Sequence, residues 1–502
     1  MALSLAQWHT GKVTILGDPS NVLSLGYHRT MELAPIAVLV MLVGMTWVGI
    51  RHSRGIQSGE DFALANRGLS TWVLAGTLIA TWIGTGSIFS NAEFTYERGI
   101  AGFFVPLSGL AGMLVLAAIA PRIRSLPAQT VPAILGLRFG RAAQVLGAIA
   151  LIGAYMIIVS YQYRAGAAIA ERLFPAMDLS FMMGERELSF WPVVCCGFVV
   201  LYTALAGLWS VASTDVIAGL VITVGVLSCL ALTLGGFGGD SAVLPDSHFE
   251  LHGGLGKIAW IGIMLPTFLL MIGDANLMQR FLAAESPQAA RRAAWIACVG
   301  LVVLESAIIA LALVGKAQLE TAPANSAHVI VDVAFHLVPP VIGAMLAAAI
   351  VAVILSTADS FLLACSTSAA SDFRGEASGM QPVTAKRHRM SVALFGVLAL
   401  GIAYTSDKFF DVALYAYTLY GVTLTPAVVA AIFFPRTKPA AVVGGMFCGL
   451  VTAILWKLFV AGDEGIVALD PVIPALSANL MALLIFQSLN PKPSDHSPQT
   501  TT

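Results

Sequence analysis

The sequence is poor in charged residues. Asp, Glu, Lys and Arg make up 11% of its 502 residues, whereas ordinary soluble domains carry about 25%. Apolar residue types make up 58%, and the mean hydropathy is +0.84. This composition excludes a soluble globular protein and predicts a chain that crosses a bilayer many times. The net charge of −1 offers no basic surface, so we expect no nucleic-acid partner.

Motifs for metal binding and hydrolysis are also absent. The sequence has no CxxC pair, and its six cysteines fall inside apolar runs, which excludes a disulfide framework and a zinc site. It contains neither HExxH nor GxSxG, and its histidines lie mostly in loops and termini. We therefore expect no enzymatic activity and no catalytic residues.

Both ends of the chain are polar by comparison with the rest. Residues 1–33 lack a compact apolar stretch after a basic start, so we expect no signal peptide, and Met31 is an alternative start to Met1. The short tail 488–502 is rich in Pro, Ser and Thr, which predicts a disordered cytoplasmic segment.

Long apolar runs dominate what is present. A spanning helix needs about 20 mostly apolar residues, and by that rule we count about 13 spans. They lie near 34–51, 71–94, 101–121, 142–171, 191–208, 213–236, 256–275, 292–315, 341–371, 389–405, 409–434, 439–460 and 468–487.

Basic residues alternate from loop to loop. Arg51 and Arg54 follow the first span and Arg122 and Arg124 the third, whereas the loop 237–256 has acidic residues and no Lys or Arg. The positive-inside rule then places the N-terminus outside and the C-terminus in the cytoplasm. We expect a multi-pass protein of the inner (cytoplasmic) membrane.

Two spans carry helix-breaking residues. The second contains Gly84 and Gly86, and the seventh contains Gly262, Pro266 and Gly273. Each begins a block of five spans, and paired broken helices in two halves point to a binding site at the bilayer midplane. Gly and Pro are also common in membrane helices for packing reasons, which is the alternative for either helix alone.

The ninth span combines an apolar run with a polar centre. Ser356, Asp359 and Ser360 share one helix face, because residues three and four apart lie above one another. A carboxylate at the bilayer centre costs about 2.5–3.5 kcal/mol on insertion scales, so Asp359 is expected to have a partner. We interpret this helix as one wall of a cation site.

Four stretches, in the correct order, resemble the sodium:solute symporter family over about residues 55–440. They are SGEDFALANRGLSTWVLAGTLIATWIG, YTALAGLWSVASTD, DANLMQRFLAAES and STADSFLLACSTSAASDF. The second departs from the family at Ala206, where another glycine is usual. The resemblance implies sodium-coupled symport of a small organic solute by a probable monomer within the lipid bilayer.

The resemblance also implies the fold: an all-α, polytopic, LeuT-like inverted repeat of five plus five helices. The expected parts are an N-terminal external segment 1–33, an extra helix 34–51, the first repeat 71–236, the second repeat 256–434, two more helices in 439–487, and the tail 488–502.

In the family, one sodium ion lies between the first and eighth core helices. Carried over to this chain, its ligands are the carbonyls of Ala80, Ile83 and Val353 and the hydroxyls of Ser356 and Thr357. Alternatively, these hydroxyls bond back to their own helix, as Ser and Thr in membrane helices often do.

Some family members bind a second cation. Here Asp215, Asp359 and Ser360 would form a second sodium site or carry a proton, and the alternative for Asp215 is an acid that favours a helix start. Asp274, Arg280 and Asp372 are expected near cytoplasmic helix ends, as structural or inner-gate charges.

The resemblance places the solute between the broken helices and the third core helix. The expected solute-binding residues are Trp82, Thr85, Ser87, Arg164, Thr267 and Tyr417. A guanidinium at Arg164 would hold a carboxylate through two hydrogen bonds, which favours a monocarboxylate, amino acid or acidic sugar. The alternative is that Arg164 reaches lipid headgroups.

Two other functions share this fold. Asp359 is compatible with proton coupling instead of sodium coupling. A solute sensor would add a signalling module, and the tail after Gln487 is short for one.

Overall fold

The computed structural model describes residues 19–53, 58–175, 177, 179–183, 186–234, 244–373, 384–405, 409–460 and 469–489. These residues are mainly helical. The helices are α1 Pro19–Ser53, α2 Gly59–Leu64, α3 Thr71–Trp82, α4 Ala92–Arg98, α5 Phe104–Arg124, α6 Val131–Phe139, α7 Arg141–Leu173, α8 Trp191–Leu234, α9 Lys257–Gly273, α10 Ala275–Leu282, α11 Pro287–Gln318, α12 Val329–His336, α13 Pro340–Ser371, α14 Ala385–Ala403, α15 Phe409–Phe433, α16 Pro439–Leu455 and α17 Val472–Leu489. The strands β1 Ser180–Met183 and β2 Arg186–Ser189 form an antiparallel hairpin.

Each of the predicted spans coincides with helical structure. Ten helical stretches of the described residues are long and apolar enough to cross a bilayer. The shorter apolar helices Thr71–Trp82 and Trp191–Leu205 match the second and fifth predicted spans, and α14 matches the tenth. These three fall outside the ten for different reasons. Thr71–Trp82 is short because its span is interrupted, Trp191–Leu205 is short because it ends at a tight turn, and α14 begins with charged residues.

The turn between the fifth and sixth spans is a single residue. Gly207 has φ +62° and ψ 174° inside α8, which divides that 44-residue helix into two. Only glycine adopts this conformation without a steric penalty, so Gly207 allows the chain to reverse without a longer loop.

The first helix is longer than predicted. α1 begins at Pro19, inside the segment expected to precede the first span at 34, and it continues through Pro35. It packs against α8 and α13. The remainder of that segment, residues 1–18, and the predicted tail from 490 onward lie outside the described residues.

α13 is the central helix of the bundle. Its apolar window is 83% buried, against 22% for α17 at the edge, and it packs against α8, α7, α1 and α14. Buried residues lie on all faces of the helix, as expected for one that is surrounded by other helices instead of lipid.

Both predicted interruptions are present, and the second lies at Gly273, the last of the three helix-breaking residues of that span. α3 ends at Trp82, and a π-helical turn, Gly86–Asn91, begins after the break. α9 ends at Gly273, where Asp274 has the non-helical ψ of 113° before α10 starts. Gly262 and Pro266 remain inside α9, because a proline can be accommodated in a membrane helix whose neighbours satisfy the freed carbonyl.

Candidate functional site

The first break releases the Ala80 carbonyl from its helical hydrogen bond. In a continuous helix the Gly84 amide would donate to the Ala80 carbonyl, but here it donates to the Trp82 carbonyl at 2.8 Å. Gly84 also lies against α13, because a Cβ at this position would be only 2.8 Å from Thr357 Oγ1. Glycine therefore lets the unwound backbone approach the polar centre of α13.

Thr357 faces this break with an unused hydroxyl. Its side chain is 3% exposed, and Oγ1 has no hydrogen-bond partner among the described residues. A buried polar atom without a partner is costly and calls for an explanation such as a missing ion. Ala80, Ile83 and Val353 are fully buried nearby in α3, the break and α13.

Ser356, the other predicted hydroxyl ligand, is bonded to a carboxylate. Its Oγ donates to Asp215 Oδ1 on α8, and Thr77 of α3 donates to Oδ2 of the same group. Neither hydroxyl follows the alternative of bonding back to its own helix. The structure thus joins α3, α8 and α13 through one buried carboxylate.

Arg280, in the last turn of α10, completes this cluster. The residue is fully buried, and its Nη2 lies 2.9 Å from Asp215 Oδ2 and 2.8 Å from Ser360 Oγ. Its Nε donates to Thr77 at 2.9 Å and its Nη1 to Asn276. The predicted second site therefore contains a guanidinium contributed by α10.

Asp359 is the least satisfied member of the predicted second site. It is fully buried, and its Oδ1 accepts a long hydrogen bond of 3.4 Å from Ser360. Its Oδ2 has no hydrogen-bond partner in the described part of the chain. Asp215, Asp359 and Ser360 are thus brought together, with two carboxylates around one guanidinium.

A central cavity lies beside these groups and encloses about 800 Å³ of space between atoms, including its opening. Its walls come from the first break, α5, α7, α9, α10, α11, α13 and α15. The lining residues include Trp82, Ser87, Ser90, Asn91, Tyr161, Gln162, Thr267, Asp274, Glu305, Thr357, Phe361 and Tyr417.

Four of the six predicted solute-binding residues line this cavity: Trp82, Ser87, Thr267 and Tyr417. Thr85 is buried and bonds to Gln162, which does line it. Arg164 is half-buried on α7 and is not among the lining residues.

Sequence reasoning missed the acidic wall of the cavity. Glu305 of α11 is 5% exposed, and its carboxylate accepts from Trp82 Nε1 at 2.7 Å, Ser87 Oγ at 2.5 Å and Asn91 Nδ2 at 3.2 Å. It is the one carboxylate in the predicted span 292–315. An intramembrane carboxylate is by default a candidate functional residue, and that signal was available.

Asp274 lies at the second break, where it follows the last residue of α9 and caps the start of α10. It accepts from the Leu277 amide at 2.7 Å, which caps α10, and from the Tyr155 hydroxyl at 3.1 Å. The carboxylate is 1% exposed and contributes to the cavity wall.

Asp372 follows α13 directly and links two helices there. Its carboxylate accepts from Thr130 at 2.8 Å and from Gln144 at 3.0 Å, and Arg141 donates to its carbonyl. Burial raises the pKa of the Asp372 carboxyl to about 6, although hydrogen bonds from Gln144, Ser368 and Thr130 act in the opposite direction. These hydrogen bonds join the end of α13 to the starts of α6 and α7.

Comparison with known proteins agrees with this arrangement. The model of the sodium:solute symporter family matches residues 62–449, which is more than half of the chain. The chain belongs to the sodium:solute symporter family. It is similar to the sodium/proline symporters of Escherichia coli (strain K12) and Staphylococcus aureus (strain JH9), each 24% identical. These alignments cover 91% and 93% of this chain, respectively, and 93% of each relative.

Solved structures confirm the predicted LeuT-like fold. A Na⁺-coupled sialic acid symporter, in a substrate-bound outward-open state, has a TM-score of 0.72 at 16% identity and covers 91% of this chain and 98% of its own. MhsT in complex with L-phenylalanine has a TM-score of 0.54 at 15% identity, covering 83% and 97%. At these identities the likeness concerns the fold.

Family membership settles the broad function of this symporter. It is a multi-pass membrane transporter, not an enzyme, and sodium is its coupling ion. Thr357 Oγ1, the freed Ala80 carbonyl and the close approach of Gly84 fit a small hard cation that is held by neutral oxygen atoms.

Proposed function

We propose that this chain carries an amino-acid-like zwitterion together with Na⁺ through the central cavity by alternating access. The observation that carries the proposal is the unwound turn after Trp82, which faces the unpartnered Thr357 hydroxyl at the edge of the central cavity. Ion and solute sites that share one broken helix can favour the same conformation, which is the thermodynamic requirement for coupled transport.

In this proposal the sodium ion lies between α3 and α13. Its ligands are the carbonyls of Ala80, Ile83 and Val353 and the hydroxyls of Ser356 and Thr357. Thr357 is free to bind an ion as it stands, whereas Ser356 would keep its hydrogen bond to Asp215 and present an oxygen lone pair to the ion. The Asp215, Asp359 and Ser360 cluster is the candidate for a second ion.

The class of solute follows from the cavity wall. The carboxylate expected from Arg164 has no support from the wall, since Arg164 is not among its lining residues, which include no Lys, Arg or His. Among the three expected classes, an amino acid fits best because it also carries an ammonium group. Its carboxylate would lie toward the amides of the turn that begins at Gly86, as helix N-termini favour anionic substrate groups.

The sodium/proline symporter relatives make proline the first solute to test. Trp82, Ser87, Thr267 and Tyr417 would contact the solute, and Thr85 would hold the break in position through Gln162. We further propose a monomer in the inner membrane, with its N-terminus outside, because the basic residues alternate between loops.

Reconstitution in liposomes tests the proposal. Uptake of radiolabelled proline and a panel of amino acids, monocarboxylates and acidic sugars should require an inward sodium gradient. Uptake that is driven by a proton gradient without sodium would replace sodium coupling with the alternative that Asp359 keeps open. If a sodium gradient drives none of these solutes, the proposal is wrong.

A further inference from the structure

The centre of the bundle has more acidic than basic side chains. Asp215, Asp359, Asp274 and Glu305 are buried there, and Arg280 is the only fully buried Lys or Arg among the described residues. Arg280 ion-pairs with Asp215, which is 2.9 Å away. The sodium ion supplies one further positive charge beside α13, so an acidic excess remains at the cavity.

Asp274, Asp359 and Glu305 all lack an ion pair among the described residues, and Glu305 is the one of the three that lines the cavity without capping a helix. Its three bonds come from an indole N–H, a hydroxyl and an amide N–H, and it forms no ion pair among the described residues. Indole and amide N–H groups donate and do not accept, so they favour the ionised carboxylate. A buried charge without a counter-ion is costly, and this one lines the cavity.

The aromatic part of the wall also fits a positive group. Trp82, Tyr161, Phe361 and Tyr417 contribute aromatic rings, whose faces attract cations. Ser90 and Thr267 line the same cavity, are 3% and 9% exposed, and have hydroxyls without hydrogen-bond partners in the described part of the chain. These hydroxyls are available to a ligand, independently of the acidic groups.

We propose that Glu305 and the ring of Trp82 form the subsite that binds a cationic nitrogen of the transported solute. The solute then supplies the counter-charge that Glu305 lacks. A monocarboxylate or acidic sugar is rejected because it has no cationic group to pair with Glu305. This assignment rests on the proposed symport, since it names the solute group that one wall of that site recognises.

Two pairs of probes test the subsite, and in each pair only one member has a cationic nitrogen. The first pair is proline and cyclopentanecarboxylate, and the second is tetramethylammonium and tert-butanol, which is similar in size but uncharged. Thermal stabilisation of the purified symporter in saturating Na⁺, and competition against bound proline, measure relative affinity. The nitrogen-bearing member of each pair should bind at least tenfold more tightly. Equal affinities within both pairs would overturn the proposal.

Glu305→Gln then assigns the preference to this residue. It keeps the size and most hydrogen bonds but removes the charge, so the preference should fall at least tenfold while stabilisation by Na⁺ alone persists. A Glu305→Gln protein that keeps the full preference rules the subsite out. If this variant does not fold, the paired probes on the unmodified protein and on Glu305→Asp decide instead, and Glu305→Asp should retain the preference.

These outcomes are separable from failure of the symport itself. Sodium-dependent uptake of an anionic solute, with cyclopentanecarboxylate binding as well as proline, removes the subsite and leaves symport intact. Binding of the cationic probes without any sodium-driven uptake removes the proposed symport and leaves the subsite intact.

Discussion

The two broken helices differ in how their freed backbone groups are satisfied. At the second break the Tyr420 hydroxyl donates to the Gly273 carbonyl at 2.7 Å and accepts from the Ala275 amide at 2.9 Å. The Tyr155 hydroxyl accepts from the Asn276 amide at 3.1 Å. The chain therefore closes this break with its own side chains, and the stacked rings of Tyr155 and Tyr420 hold it.

At the first break the chain supplies less. Gly84 forms a tight turn with Trp82, and the nearest hydroxyl, that of Thr357, makes no hydrogen bond among the described residues. The second break is thus satisfied by the chain's own hydroxyls, whereas the first leaves the Thr357 hydroxyl without a partner among the described residues. The difference teaches that a break marks an ion site only where the protein leaves its oxygen atoms free.

The largest loss of stability is expected at Arg280, which links the two breaks. Arg280 follows the second break in α10 and binds Asp215 and Thr77, the latter on the helix that precedes the first break. Arg280→Met should cost about 3–5 kcal/mol of stability, because it leaves a buried carboxylate unpaired. The measurement is the thermal unfolding of purified protein in detergent without sodium.

A double variant provides the control for that result. Asp215→Asn together with Arg280→Met removes both charges and should recover much of the lost stability. If the double variant is as unstable as the sum of the single ones, the ion pair is not what links the two breaks.

Thr357→Val tests the first break. The change keeps the shape of the side chain and removes the free hydroxyl, so the sodium concentration for half-maximal stabilisation should rise about tenfold or more, since a bond to an ion contributes about 1.5–3 kcal/mol. Thr423→Val is the matched control, because Thr423 is also buried with an unpartnered hydroxyl but lies on α15, outside the cavity lining. Equal sodium responses in the two variants would contradict the ion site.

Tyr420→Phe tests the second break, and it should affect stability instead of sodium affinity. The buried Gly273 carbonyl and Ala275 amide lose their partner, so stability should fall by about 1–3 kcal/mol while sodium affinity stays unchanged. Thermal unfolding and a sodium titration on the same sample separate the two quantities. A large loss of sodium affinity here would show that both breaks serve the ion.

The smallest effect is expected at the end of α13, away from both breaks. Burial raises the pKa of Asp372 from 3.8 to about 6, so the folded protein binds its proton more tightly than the unfolded chain does. This contribution to stability is present below about pH 4 and is lost as pH rises toward and through about 6. Asp372→Asn should flatten the pH dependence of unfolding in this window. An unchanged pH profile would contradict it.

The sequence alone was enough for much of the architecture. Apolar runs of spanning length predicted the helices, since a bilayer accepts few other structures. Gly84, together with the hydroxyl-rich turn of α13, indicated which helices form the ion site. Gly207 lies in the stretch YTALAGLWSVASTD that resembles the family, but its positive φ is known only from the structure.

Tertiary structure decided how the charges are paired. Nothing in the sequence near Arg280 shows that it pairs with Asp215, 65 residues away, or that Glu305 accepts a hydrogen bond from Trp82, 223 residues away. Arg164 looked like a solute ligand from its helix, yet the rotation of α7 in the bundle leaves it out of the cavity lining. Hydropathy is a local property of the chain, whereas the partner of a buried charge depends on which helices fold beside it.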